Sequence, residues 1–125
     1  MLNFGVTEQT INNIDNSIFL TNQEINQLTV TLKSGTNFAK GTLLGKITAS
    51  GKYTTWDNRT SGAATDGSQI LVGVLLEGVD ATSADELGVV GINGVLNLSR
   101  LTAVTTVVAG VYNTLGTIII KEGVA

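Results

Sequence analysis

Asp80, Asp85 and Glu86 make the densest acidic cluster in this chain, and Asp57 and Asp66 bracket a polar loop that contains Gly62. Paired carboxylates can exchange protons as general acid and base, and larger sets can hold a hard cation. The first cluster lacks the glycine that a calcium loop of the EF-hand type needs at its sharp turn, so a solvated connection is the plainer reading. Asp57 and Asp66 read more simply as turn formers, through Asx-type bonds to nearby backbone. Histidine and cysteine are both absent. That removes the commonest general base, the thiolate nucleophile and the disulfide. Gly41-x-x-x-Gly45-Lys46 lacks the spacing of a phosphate-binding loop, and no helix signal follows it. Asn58-Arg59-Thr60 and Asn97-Leu98-Ser99 match the glycosylation sequon, which carries weight only behind a secretory signal. Trp56 is the sole tryptophan. Beside a polar loop, such a ring reads as a core-edge or interface residue with its N–H bonded. A sugar-stacking platform is the sharper alternative, but few other aromatics stand by to build one. The residues predict no enzyme, no cofactor, no metal site and no small-molecule substrate.

What would position these side chains is a set of strands, centred on Phe38 to Glu77. Thr42 to Thr48 is an apolar run, Ser50-Gly51 a turn pair, and Lys52 to Trp56 a short strand of β-branched and aromatic residues. Asp57 to Ser68 is the polar loop, and Ile70 to Leu76 reads as a buried strand. Upstream, Leu28, Val30 and Leu32 alternate with Thr29 and Thr31, the pattern of a strand with one buried face. Ser34-Gly35-Thr36-Asn37 reads as a turn. Downstream, Gly78 to Leu87 is a polar connection in which Thr82 or Ser83 could cap a single helical turn. Gly88 to Leu98 reads as a strand pair or a bent strand, with Asn93-Gly94 as either hairpin turn or bulge. Thr117 to Lys121 is a closing strand. The first 25 or so residues differ from the rest. They are rich in Asn, Gln and Thr, with spaced apolar residues Phe4, Val6, Ile11, Ile14, Ile18 and Phe19. Ile11, Ile14 and Ile18 share helical spacing, but Asn and Thr are weak helix formers. An extended arm that docks its apolar residues on another subunit is the alternative.

Composition supports a single mostly-β domain. Thr, Val and Ile favour strands, while Gly and Asn favour turns. The formal charge is −3, with seven basic residues scattered along the chain. Nucleic-acid binding needs clustered Lys and Arg, so none is expected. No apolar run approaches the length of a membrane helix, and the N-terminal residues lack the pattern of a signal peptide. Synthesis in the cytoplasm is therefore expected, with no membrane partner.

The central stretch also resembles a known family. Gly41-Thr42-Leu43-Leu44-Gly45, Gly51-Lys52-Tyr53, Trp56-Asp57, Ser61-Gly62-Ala63-Ala64, Asp66-Gly67-Ser68 and Gly73-Val74-Leu75-Leu76 are similar to the head decoration proteins of lambda-like tailed bacteriophages. Val79-Asp80-Ala81-Thr82 and Gly94-Val95-Leu96-Asn97 continue the pattern, which spans roughly residues 38 to 121. The resemblance implies a mostly-β (α+β) fold, a small β-tulip-like domain with an extended N-terminal arm. It also tips the ambiguous run Thr102 to Tyr112 towards one short helix. It implies two regions, an arm over 1–25 that contacts the capsid and a decoration domain over 26–125. The implied function is decoration of the exterior of an expanded virion capsid, as a homotrimer at three-fold positions. There the protein would stabilise the shell against internal DNA pressure, with the major capsid protein as partner. The implied contact residues are Phe4, Val6, Ile11, Ile14, Ile18 and Phe19. The alternative is another phage structural module, such as a spike, fibre or tail component.

Overall fold

In the computed structural model the described residues are 18–19, 25–107, 110 and 118–121. Nine strands run through them: β1 Gln27–Leu32, β2 Thr36–Phe38, β3 Leu43–Lys46, β4 Tyr53–Thr55, β5 Gly73–Leu75, β6 Val79–Ala81, β7 Glu86–Gly91, β8 Gly94–Asn97 and β9 Ile118–Lys121. One turn of 3₁₀-helix, Leu98–Arg100, follows β8. The fold is mostly β, as the sequence predicts.

Five strands close a barrel in the order β1-β4-β3-β5-β7, and β7 returns to β1. The closing seam is the longest, six antiparallel pairs from Gln27↔Gly91 to Leu32↔Glu86. β1 meets β4 in parallel at Leu32↔Tyr53, and the other seams are antiparallel. Closure removes the free edges that an open sheet would expose. Two smaller sheets complete the fold, an antiparallel ribbon β2-β6 and a parallel pair β8-β9.

The side-chain alternation explains why the central runs are apolar without a break. Consecutive strand residues point to opposite faces. Leu44, Leu75 and Val90 join one buried cluster with Val30, Leu32, Phe38 and Ala81. Their neighbours Leu43 and Val74 join the other, with Trp56, Leu71, Leu96, Ile118 and Ile120. The β3-β5 wall is thus covered on both faces, by the barrel interior and by the layer that carries β8 and β9. Such a strand needs apolar residues at every position rather than at every second one.

Several expectations change at this level. The strand read over Ile70 to Leu76 is regular only from Gly73, and Ile70 is 46% exposed. Thr36 and Asn37 are not turn residues but open β2, which pairs with β6 inside the supposed polar connection. No helical turn starts at Thr82: its N–H and hydroxyl both donate to Asp80 Oδ1, and Glu86 opens β7. Asn93-Gly94 is no hairpin, because β7 and β8 lie in different sheets; it is the corner between them. The helix expected over 102–112 is absent from its described residues up to 107. Thr102 instead pairs in parallel with Thr42, Leu43 N–H donates to Thr102 O at 2.8 Å, and Val104 N–H donates to Trp56 O at 3.2 Å. Thr102, Val104, Thr105, Thr106 and Val107 are β-branched, which favours this extended strap over a helix. Residues 108–109 and 111–117 lie outside the described residues.

Candidate functional site

Trp56 follows β4, where its backbone N–H donates to Leu43 O at 2.7 Å. The ring enters the core at 9% exposure, and Nε1 donates to Gln69 O at 2.9 Å. Trp56 belongs to the buried cluster with Leu43, Leu71 and Val74. One side borders an open groove of about 660 Å³, shared with Asn58, Arg59, Ser61, Thr105 and Thr106. A second groove of about 360 Å³, along the strap from Leu98 to Val107, also includes Thr105 and Thr106.

Arg59 and Asn58, two polar residues of the first groove, are already committed to protein partners. The Arg59 guanidinium forks onto Asp57, with Nε to Oδ1 at 2.8 Å and Nη2 to Oδ2 at 2.6 Å. Asp57 also accepts the Ala64 N–H at 2.8 Å and is itself buried. Arg59 first, and then the Ala64 N–H, hold the Asp57 carboxyl well below the usual carboxylate range. The same pair pushes the guanidinium up. A carboxylate held this way stays ionised and saturated at neutral pH, so it is a poor proton acceptor. Asn58 ties the strap down. Its Oδ1 accepts the Thr105 N–H at 2.8 Å and the Thr105 hydroxyl at 2.9 Å, while its Nδ2 donates to Thr105 O and Thr106 O.

Asp66, Asp80 and Asp85 do the same kind of work. Asp66 Oδ1 accepts from the Ser68 hydroxyl at 2.6 Å and the Ser68 N–H at 3.0 Å, an Asx turn. Those bonds lower its carboxyl. Asp80 closes a similar turn onto Thr82, and its carboxyl is lowered too. Asp85 pairs with Lys52 at 2.6 Å and accepts the Ser34 N–H at 2.8 Å, which joins three chain segments at one end of the barrel. Lys52 is the first cause of its lowered carboxyl. The cluster of Asp80, Asp85 and Glu86 is therefore divided among a turn, an ion pair and a strand start. No group of three or more His, Cys, Asp or Glu among the described residues is placed to hold a metal ion.

Of the six residues expected to contact a capsid, Phe4, Val6, Ile11 and Ile14 lie outside the described residues. Ile18 and Phe19 are buried in the body itself, 1% and 8% exposed. Phe19 bridges antiparallel to Leu96, and Asn97 N–H donates to Ile18 O at 2.6 Å. Sequence reasoning grouped them with the arm because they fall among the spaced apolar residues of the Asn-, Gln- and Thr-rich N-terminal stretch. The signal for the other grouping was faint: two glycines, Gly91 and Gly94, which face the Phe19 ring.

What the described residues build is a scaffold of closed strands and satisfied turns. No curated protein matches this chain. A family model, described as bacteriophage lambda head decoration protein D, matches residues 6–113. That match spans most of the 125 residues, and the chain belongs to the bacteriophage lambda head decoration protein D family.

Proposed function

We propose that this protein binds the outer surface of an expanded phage capsid as a trimer at three-fold positions and stabilises the shell against internal DNA pressure. Membership of a head decoration family, over residues 6–113, is the observation that carries the reading. The family is structural, and its name places its members on the virion head. The architecture suits that work. A cement protein needs a body that keeps its shape under load, and here the carboxylates of Asp57, Asp66, Asp80 and Asp85 are used to hold turns and strand ends. Three linked copies would turn individually weak contacts into slow dissociation.

In this reading the capsid-gripping arm is the segment before Ile18, with Phe4, Val6, Ile11 and Ile14 as its apolar contacts. It is shorter than a 1–25 division implies, because Ile18, Phe19 and Ile25 are buried in the body. Backbone pairing of an added strand would supply affinity, and alternate apolar side chains would supply register. The major capsid protein is the partner. The test is binding of purified protein to expanded heads that lack decoration, read by co-sedimentation and by electron microscopy. Full-length protein is expected at three-fold positions, with heads more resistant to heat. Removal of residues 1–17 is expected to weaken binding on the order of a hundred-fold if three arms act together. Density on a tail, spike or fibre rather than the head would overturn the assignment.

A further inference from the structure

The chain contains one Asn-Gly step, Asn93-Gly94, at the corner between β7 and β8. The antiparallel seam of β1 and β7 ends at Gln27↔Gly91, and one rung beyond it Ile92 N–H still donates to Asn26 O at 3.1 Å. The main chain then turns away and a side chain takes over: Asn93 Oδ1 accepts the Asn26 N–H at 2.7 Å. Asn26 is thus held through both of its backbone groups. Gly94 makes the turn with φ at +129°, in the region that favours glycine. A Cβ there would lie 2.9 Å from two carbons of the Phe19 ring and 3.2 Å from Ile25 Cδ1, so the corner is packed as well as bent. Asparagine at 93 and glycine at 94 each answer a structural need.

The same two residues carry a chemical liability. Asparagine is a thermolabile residue. With no side chain on Gly94, nothing at that residue hinders its backbone nitrogen from attacking Asn93 Cγ. The nitrogen gives up its proton and bonds to Cγ, the Cγ–Nδ2 bond breaks, and ammonia leaves a five-membered cyclic imide. Water then opens the ring at one of its two carbonyls, which gives aspartate or isoaspartate at position 93. We propose that Asn93 is a deamidation site held shut by its hydrogen bond to Asn26. Ring closure needs the side-chain amide to swing over the Gly94 nitrogen. In the fold its oxygen is tethered to an N–H whose own residue is tied to Ile92. The reaction therefore waits on local opening of this corner. The two products differ in consequence. Aspartate keeps an oxygen to accept the Asn26 N–H. Isoaspartate adds one atom to the main chain at the joint between the barrel and the β8-β9 sheet, where Phe19 and Ile25 are packed.

The test is incubation of the full chain in mildly alkaline buffer, folded and in guanidinium chloride. Peptide mass mapping and an enzymatic assay for isoaspartate follow the reaction. In guanidinium the peptide that spans Asn93 is expected to deamidate ahead of the others. In the folded parent it should react slower by about ten-fold or more, since only the locally open fraction is reactive. No reaction at Asn93 in guanidinium, or equal rates in the two states, would overturn the proposal. Asn26→Pro then isolates the bond. It removes the N–H donor, keeps the carbonyl that accepts from Ile92, and lies ahead of the first residue of β1, where proline is tolerated. With the fold checked by Trp56 fluorescence, Asn93 in this variant should deamidate about five-fold faster than in the folded parent, the change expected from one net hydrogen bond. An unchanged rate would overturn the role of Asn26. Should Asn26→Pro fail to fold, hydrogen exchange in the parent decides: the Asn26 amide is expected to be protected, and exchange at the rate of an open chain would show that the bond does not hold the site shut.

Discussion

Substitution of Gly45 by alanine tests how the central loop is held on the barrel. Gly45 lies within β3, opposite Thr54 of β4. A Cβ there would fall onto the Ser68 carbonyl oxygen and lie 2.6 Å from Ser68 Cα. These are backbone atoms, so no rotamer change relieves the clash. The segment from Asp66 to Ser68 would have to lift. It is held by Asp57 N–H donating to Ser68 O at 2.9 Å and Thr48 N–H donating to Asp66 O at 2.8 Å. Overpacking of this kind costs about 1–3 kcal/mol. Loss of one backbone hydrogen bond adds about 1 kcal/mol. Reduced freedom of the unfolded chain returns about 0.4–1 kcal/mol. The expected net loss is about 2–3 kcal/mol. Gly78→Ala should have the opposite sign: its nearest neighbour would be Phe38 O at 3.4 Å, ordinary contact. That substitution is expected to be neutral or to stabilise by up to about 1 kcal/mol. The assay is urea unfolding at fixed protein concentration, followed by Trp56 fluorescence. The indole N–H is bonded to Gln69 O, so the probe sits on the loop that must move. With a slope of about 1–3 kcal/mol per molar urea, the Gly45→Ala midpoint should drop by about 1–2 M. A Gly45→Ala protein within about 0.5 kcal/mol of the parent would refute the close approach of β3 and Ser68.

Acid should destabilise the body below about pH 4. Asp57, Asp66, Asp80 and Asp85 all have folded-state carboxyls below their unfolded value of 3.8. The unfolded chain therefore binds more protons as pH falls through this range, and the stability these groups contribute above it is lost. Asp57→Asn should flatten the fall in a pH series of thermal melts; an identical pH profile would show that Asp57 contributes nothing to it. Asn58→Ala removes the groups that hold Thr105 and Thr106. It should cost about 1–2 kcal/mol and speed hydrogen exchange at the Thr105 amide more than at β3 amides; uniform exchange changes would contradict a local latch.

Much of the barrel was legible because its strands carry local signals. Alternation marks β1, the Ser50-Gly51 turn separates β3 from β4, and the Ile118-Ile119-Ile120 run marks β9. β2 and β6 escaped because three residues are too few to show a period. The parallel pairing of Gly94–Asn97 with Ile118–Lys121 spans more than twenty residues and has no local signature. The strap over 102–107 was misread because the family resemblance was set above its β-branched residues, which pointed to extended chain, and nothing nearby showed that Thr42 was its partner. The site was legible in its chemistry and not in its geometry. The scarcity of catalytic residue types is visible in the composition. That Asp57 serves Arg59 and Ala64, or that Phe19 sits on glycines, depends on contacts between segments far apart in sequence, and a glycine announces a contact only by lacking a side chain.

The topology also bears on how a partner could pair with this protein through its backbone. The barrel is closed by β7 returning to β1, though β1 meets β4 only at the pair Leu32↔Tyr53. β8 has β9 on one side and Phe19 on the other. β9 is flanked in turn by Gly110, whose N–H donates to Ile120 O at 2.8 Å. The ribbon β2-β6 has only three residues in each strand, a short template for a register-specific added strand.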